Sequence, residues 1–238
     1  MGQPITPHTK RILQKTGEWT ALKFSDKAAI YLILGSKNSG TRNPLAVLEA
    51  ALEGGISHFQ LREKGDGALM GPALLEFALQ CQQLCRTHGV PFIVNDLVKL
   101  ACQIGADGVH IGQDDAAAAH VRKLIGKKKL LGVSVHSVQE AQRAVEDGAD
   151  YVGMGPIFGT VSKNDAKKPA GVKEIQAVAA EFPLLPIVGI GGITPGNSRI
   201  VWQAGVSAIA VISTITQADD IAVQIAALQA SCKEGARK

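Results

Sequence analysis

Apolar residues fall in short runs along this chain, and several runs follow a glycine that closes a helix-like stretch. Four copies share one design: Gly54-Gly55-Ile56-Ser57-His58-Phe59-Gln60-Leu61, Gly105-Ala106-Asp107-Gly108-Val109-His110-Ile111-Gly112, Gly148-Ala149-Asp150-Tyr151-Val152-Gly153-Met154-Gly155 and Gly205-Val206-Ser207-Ala208-Ile209-Ala210-Val211-Ile212. Glycine past a helix end supplies the left-handed cap that returns the chain to a sheet. Further strand-like runs lie between them, at Ala29 to Gly35, Pro91 to Asn95, Leu130 to Val135 and Leu185 to Ile190. The intervening stretches are long enough for helices and carry start signals of their own. Asn43-Pro44 and Thr194-Pro195 each read as a cap followed by a first-turn proline. Ser137-Val138-Gln139-Glu140 reads as a capping box. This repeated alternation of strand and helix predicts an α/β protein with a (β/α)8 TIM barrel over residues 26–238, since an open doubly wound sheet usually stops sooner. Residues 1–25 are read as an N-terminal extension, a short helix over the barrel's N-terminal end.

Composition agrees with this layout. The 238 residues are 46% hydrophobic but only 4% aromatic, so the core must be built from Ala, Val, Ile and Leu, as suits parallel strands under helices. A net charge of +4 fits anionic small molecules and is too diffuse for a nucleic-acid groove. Cys81 and Cys85 stand four apart on a predicted helix, while Cys102 and Cys232 stand alone. They lack zinc spacing and read as small core residues of a reducing compartment. No apolar run approaches the roughly 20 residues of a membrane span, and no secretory core opens the chain. The expectation is a cytoplasmic protein without membrane partners; assembly into a homo-oligomer stays open.

Chemistry in this fold gathers where strands end and the following loops begin. Alternation puts Gln60, Arg62 and Lys64 on one side of their strand. Two cations there must face solvent or share an anion, and an Arg fork beside a Lys point charge suits phosphate or pyrophosphate. In isolation, an exposed charged strand end is the simpler account. Glu63 points the other way and reads as structural. After the next two strands come Asn95-Asp96 and His110-Ile111-Gly112-Gln113-Asp114-Asp115. Hard oxygen ligands from two strands, Asp96 and Asp115, could hold one Mg²⁺ and leave positions for water and phosphate oxygens. Both aspartates also stand where a helix N-cap belongs; the cations facing them from the neighbouring strand favour the metal.

The fifth strand ends in Ser134 and His136, a hydroxyl and an imidazole. His136 could serve as acid or base, orient its loop or cap a helix. The long polar loop after the sixth strand reads as a lid whose Thr160, Ser162 and Lys163 engage a second anion. Gly191-Gly192-Ile193 and Ile212-Ser213-Thr214 end the last two strands, where glycine lets backbone N–H groups approach an oxyanion. No cysteine stands at a strand end, and no nucleotide fingerprint is present. Two anion pockets flanking a metal, without a protein nucleophile, is the resulting picture.

The ordered set QLREK, VND, HIGQDD, GVSVHS, GPIFGTVSK, IVGIGGI and VIST resembles thiamine phosphate synthases, from about Ala29 to Ala218. The resemblance implies a (β/α)8 transferase that uses Mg²⁺ to join an aminopyrimidine methyl diphosphate to a hydroxyethylthiazole phosphate. It implies that Gln60, Arg62, Lys64 and Asn95 bind the pyrimidine diphosphate and that Asp96 and Asp115 are the metal ligands. Ser134 and Lys163 would hold the leaving diphosphate, so that Arg62, Lys64, Ser134 and Lys163 form the catalytic set. Thr160, Ser162 and the backbone of Gly192, Ile212 and Ser213 would take the thiazole phosphate. Ser162 stands where many relatives carry threonine, with the hydroxyl retained. Rival readings are a related thiazole tautomerase, a Schiff-base aldolase using Lys64 or Lys163, and a non-catalytic thiamine phosphate sensor.

Overall fold

The structure, a computed structural model, describes residues 24, 28–159, 169 and 171–235. The helix expected over residues 1–25 lies outside the described residues, Phe24 apart. The strands are β1 (Ala29–Leu34), β2 (His58–Leu61), β3 (Phe92–Asn95), β4 (Gly108–Ile111), β5 (Leu130–Val135), β6 (Tyr151–Met154), β7 (Ile187–Ile190) and β8 (Ala208–Val211). All pair in parallel with their neighbours in chain order, and β8 pairs back onto β1, closing the barrel. The helices are α1 (Pro44–Glu53), α2 (Gly71–Thr87), α3 (Val98–Ile104), α4 (Ala118–Ile125), α5 (Val138–Glu146), α6 (Lys173–Glu181), α7 (Ser198–Gln203), the short α8 (Ser213–Thr216) and α9 (Ile221–Gly235).

Strand residues are apolar on both faces because both faces are covered. Outward residues such as Leu32, Val94, Leu131 and Val152 join the helices in one large core. Inward residues form a second, smaller cluster that includes Tyr31, Ile33, Ile93, Leu130, Tyr151, Val188 and Ala210. Phe24 belongs to this inner cluster, stacked on His58 with ring centroids 4.2 Å apart and planes 12° apart. It also meets Tyr151 at 5.3 Å. His58 and Tyr151 open β2 and β6, so Phe24 stops the N-terminal end of the barrel.

Most of the expected punctuation is present. Gly55, Gly105, Gly148 and Gly205 have φ of +88°, +66°, +90° and +96°, the left-handed region that favours glycine. After three of them the next N–H donates to a carbonyl in the preceding helix, as in Ile56 to Ala51, Ala106 to Ala101 and Ala149 to Ala144, a Schellman closure. Asn43 caps α1 by accepting from the Leu45 N–H, with Pro44 in the first turn. Ser137 caps α5 by accepting from the Glu140 N–H, but the Glu140 carboxylate reaches back to the His136 N–H. Thr194-Pro195 does not start a helix. Asn197 accepts from the Thr194 N–H and donates to the Gly192 carbonyl, which holds residues 192–197 in a turn, and α7 begins at Ser198.

The cysteines divide: Cys81 and Cys85 are buried in the core, but Cys102 is exposed on α3 and Cys232 half-buried. Burial raises the Cys81 thiol and pushes Cys85 up to about 12, so both are protonated packing groups. At the N-terminal end, Arg122 of α4 donates to the carbonyls of Gly126, Lys129 and Gly148 and to the Asp150 carboxylate. Asp150 in turn accepts from the Leu131 N–H, tying α4 to the starts of β5 and β6. No helix among the described residues is long and apolar enough to cross a membrane.

Candidate active site

At the C-terminal mouth, the ladder between β1 and β2 ends with the Arg62 N–H donating to the Leu34 carbonyl at 2.9 Å. Lys64 then crosses toward β3 and ion-pairs with Asp96, the lysine side chain 42% exposed and the aspartate 13%. Asp96 has φ +58°, a left-handed conformation that, glycine apart, Asp and Asn adopt most readily and that recurs at functional sites. Neighbouring backbone bonds hold it there: its N–H donates to the His110 carbonyl at 2.8 Å, and its carbonyl accepts from Val98 at 2.8 Å.

Neither aspartate caps a helix. The N-cap of α3 is Leu97 and that of α4 is Ala117, and neither makes a side-chain capping bond. Asp115 accepts instead from the Gly112 N–H at 2.7 Å, which folds the loop after β4 back toward β3. The Asp96 and Asp115 carboxyls meet there. Burial and then the hydrogen bond to Asp115 hold the Asp96 carboxyl above the usual carboxylate range, against the pull of Lys64. Burial also works to raise Asp115, but hydrogen bonds from Asp96 and the Gly112 N–H outweigh it and hold Asp115 low. The contact thus drives the two carboxyls apart in proton affinity, Asp96 upward and Asp115 downward, as expected of a close like-charged pair. Among the described residues, no three His, Cys, Asp or Glu side chains converge as a complete cage. Two carboxylates in contact suit Mg²⁺, which keeps several waters and takes its remaining ligands from substrate phosphates. Asp96 and Asp115 are the residues that would hold such a cation.

Beneath the mouth, a polar chain crosses the barrel interior. The Gln60 amide donates to the Tyr31 hydroxyl at 3.0 Å, and Tyr31 and Tyr151 hydroxyls meet at 2.9 Å. Tyr151 reaches His110 Nδ1 at 3.1 Å, and His110 Nε2 lies 2.9 Å from Ser134 Oγ. Burial raises both phenols well above their ordinary value, so both remain neutral. A head-to-tail order satisfies every member: Gln60 to Tyr31, Tyr31 to Tyr151, Tyr151 to His110 Nδ1, and the His110 Nε2 proton to Ser134. Two glycines make the room. A Cβ on Gly132 would lie 2.2 Å from Tyr151 Cζ and 2.4 Å from His110 Nδ1, and one on Gly153 would lie 3.0 Å from His110 Cε1. With Asn95, Ile33, Val188 and Ile190, these side chains line a small cavity at the bottom of the mouth.

On the far side, Gly191 and Gly192 have φ of +107° and +61°. They also let the loop after β6 seat directly on β7: Ile157 and Phe158 donate to the carbonyls of Ile190 and Gly191 at 2.9 and 3.0 Å. A Cβ on Gly192 would stand 2.4 Å from the Gly159 carbonyl oxygen. Ile212 follows β8 directly and is the N-cap of α8. Thr214 Oγ1 donates to the Ile193 carbonyl at 2.5 Å and joins these two loops.

Gln60, Asn95, Ser134, Lys64, Asp96 and Asp115 thus gather on one side of the mouth, and Gly192, Ile212 and Ser213 on the other. Thr160, Ser162 and Lys163 lie outside the described residues. His136 pairs with Glu140 through Nδ1 at 3.1 Å, on the rim of β5. Tyr31, His110 and Tyr151 were not anticipated as site residues. Their signal lies in the inward phase they share with Gln60 and Ser134.

A closed parallel barrel with buried polar groups and paired charges at its strand ends defines a (β/α)8-barrel enzyme. A family model described as thiamine monophosphate synthase matches residues 30–215. The chain belongs to the thiamine monophosphate synthase family. It is 54% identical to the thiamine-phosphate synthase of Lysinibacillus sphaericus (strain C3-41) over 192 residues, 81% of this chain and 90% of that protein. It is 48% identical to that of Geobacillus thermodenitrificans (strain NG80-2) over 215 residues, 90% and 96% of the two chains. The solved structure of thiamine phosphate pyrophosphorylase from Pyrococcus furiosus superposes with a TM-score of 0.77 at 30% identity, covering 90% of this chain and 99% of that one.

Proposed function

We propose that this mouth joins an aminopyrimidine methyl diphosphate to a hydroxyethylthiazole phosphate, releasing thiamine monophosphate and diphosphate. The chain is a thiamine-phosphate synthase, a transferase, as its relatives are named. The observation that carries the placement of the chemistry is the contact of Lys64 with the Asp96–Asp115 pair. The Lys64 ammonium and an acidic pair meet there at the strand ends, where a diphosphate and its counter-ion would share one place.

In the proposed reaction the methylene carbon–oxygen bond breaks, and the diphosphate leaves with the electron pair. The ring amino group stabilises the pyrimidine cation left behind. The thiazole nitrogen lone pair then forms the new carbon–nitrogen bond. Arg62 and Lys64 stabilise the charge that grows on the departing diphosphate. Asn95 and Gln60 hold the pyrimidine over the interior chain, Ser134 holds the leaving diphosphate, and Lys163 approaches it from the loop after β6. Thr160 and Ser162, with the backbone of Gly192, Ile212 and Ser213, take the thiazole phosphate. Asp96 and Asp115 would hold Mg²⁺, which supplies charge neutralisation to the leaving group when bound. No step needs a protein nucleophile. A tautomerase would need no such diphosphate wall, so retention of Lys64, Asp96 and Asp115 favours the coupling reaction.

The substrates are small phosphorylated molecules of the cytoplasm; the modest net charge of +4 supports neither a nucleic-acid groove nor a charged membrane face. An assay of the purified chain with both substrates, with and without Mg²⁺, tests the reading. Metal-dependent release of diphosphate together with thiamine monophosphate is expected. Release of neither product from the two substrates would overturn it.

A further inference from the structure

Arg62 and Lys64 extend from a segment that has already left the barrel. The last β1–β2 rung is the Arg62 N–H to the Leu34 carbonyl, and β2 itself ends at Leu61. Sheet pairing therefore does not fix the direction of residues 63 and 64. Glu63, between the two cations, faces the opposite way and is half-buried. Its carboxylate accepts three hydrogen bonds from two different loops. Oε2 accepts from the Ser36 N–H at 2.8 Å, while Oε1 accepts from Ser36 Oγ at 2.5 Å and from the Leu69 N–H at 2.9 Å.

The two loops are shaped to meet it. After β1, Asn38 accepts from the Gly35 N–H at 2.6 Å and its own N–H returns to the Gly35 carbonyl at 3.1 Å, making a tight turn. Gly35 lies directly on the segment that carries the cations: a Cβ there would stand 2.2 Å from the Arg62 carbonyl oxygen and 3.1 Å from Glu63 Oε2. After β2, the chain turns through Gly65 and Gly67 at φ +94° and +72°, with the Ala68 N–H donating to the Gly65 carbonyl at 3.2 Å. The bond from Leu69 back to Glu63 closes that turn at its base, where Lys64 stands.

We infer that Glu63 is the positioning residue of the diphosphate wall, clamping the loops after β1 and β2 so that Arg62 and Lys64 converge on one anion. The inference rests on the reading of Arg62 and Lys64 given under Proposed function. Glu63 touches no substrate in this arrangement. It acts through its neighbours, so its loss falls on the pyrimidine diphosphate and spares the thiazole phosphate on the far side of the mouth.

The test is steady-state kinetics of the full chain, each substrate varied in turn, for Glu63→Ala, Glu63→Gln, Lys64→Ala and the Glu63→Ala/Lys64→Ala double variant. Glu63→Ala is expected to lower kcat/KM for the pyrimidine diphosphate by about tenfold to a hundredfold, the scale of a small misplacement of catalytic groups. KM for the thiazole phosphate should stay within about twofold, as independent sites do. Glu63→Gln keeps one carbonyl oxygen for Ser36 Oγ and the Leu69 N–H but turns an NH2 toward the Ser36 N–H, so it should recover only part of the loss. In the Lys64→Ala background, the further cost of Glu63→Ala should shrink to less than about threefold, because groups that act as a unit are not additive. The same multiplicative loss in both backgrounds, or an equal loss for both substrates, would overturn the clamp and leave Glu63 as general scaffolding. Unaltered pyrimidine diphosphate kinetics in Lys64→Ala would instead overturn the wall itself, and the inference with it. Should Glu63→Ala not fold, Ser36→Ala removes only the hydroxyl donor, and the same split between substrates is expected at smaller size.

Discussion

The Asp96 and Asp115 carboxyls, from the ends of adjacent strands, act on each other, with Asp96 held high and Asp115 low in proton affinity. Two like-charged groups tolerate this contact only while a proton or a cation lies between them. Lys64 on Asp96 offsets part of the repulsion from one side.

Mg²⁺ should therefore stabilise the folded chain through this pair. At ten times its dissociation constant, a ligand that binds only the folded state adds about 1.4 kcal/mol. Thermal unfolding with and without Mg²⁺ should show that gain in the native chain and lose it in both Asp96→Asn and Asp115→Asn. A shift retained in both variants would place the metal elsewhere. Coupling activity should fall by about a hundredfold or more in either variant, the scale of a lost electrostatic contact to a transition state.

Gly132→Ala should damage the interior chain from a position that contacts no substrate in the proposed arrangement. The added methyl would meet Tyr151 and His110 at 2.2 and 2.4 Å, and Tyr151 has no space to yield. Overpacking of this kind costs about 1 to 3 kcal/mol. Gly196→Ala is the control: its nearest neighbour is Thr194 Oγ1 at 3.8 Å, ordinary contact, so the melting temperature should not change. Equal melting temperatures for the two variants would contradict the packing described.

Tyr151→Phe removes the hydroxyl that links Tyr31 to His110. The buried groups left without their partner should cost about 1 to 3 kcal/mol of stability. Because His110 Nδ1 loses its donor, the ring nitrogen resonances of His110 should move in a nitrogen-detected spectrum. Their constancy would show that the tautomer is set by Ser134 alone.

Arg122→Lys should be nearly as damaging as Arg122→Ala, because a point charge cannot reproduce bonds to three carbonyls and a carboxylate. Breaking such a partly buried, fully bonded group costs about 2 to 4 kcal/mol, a drop in melting temperature on the order of 10 °C for a chain of this size. The kinetic constants measured well below that transition should match the native chain. A lysine variant as stable as the native chain would count against the multidentate account.

The barrel was legible because its punctuation is local. A helix ends at a left-handed glycine whatever lies beyond it, so Gly55, Gly105, Gly148 and Gly205 announced the strands that follow them. Thr194-Pro195 misled for a nonlocal reason: Asn197 reaches back to Gly192 across the turn and delays the helix. Asp96 and Asp115 were ambiguous by the same logic. Capping is a local rule and ion pairing with Lys64 is not, and only the barrel brings β2 and β3 together. The Tyr31–Tyr151–His110 chain was missed because a tyrosine in a strand with two buried faces looks like packing. The inward glycines at 132 and 153, which leave space that nothing apolar fills, were its trace in the sequence.

Phe24, stacked on His58 and tilted against Tyr151, makes the interior a cul-de-sac. A well with one opening imposes an order on its traffic, since whatever rests deepest must enter before anything that covers it. In the proposed arrangement, the pyrimidine ring above the tyrosine–histidine chain would go in first. Once the thiazole is joined to it, the ring would have no other door and would leave as part of the finished thiamine monophosphate. A blind floor thereby makes release of the product, and not only its synthesis, a property of the mouth.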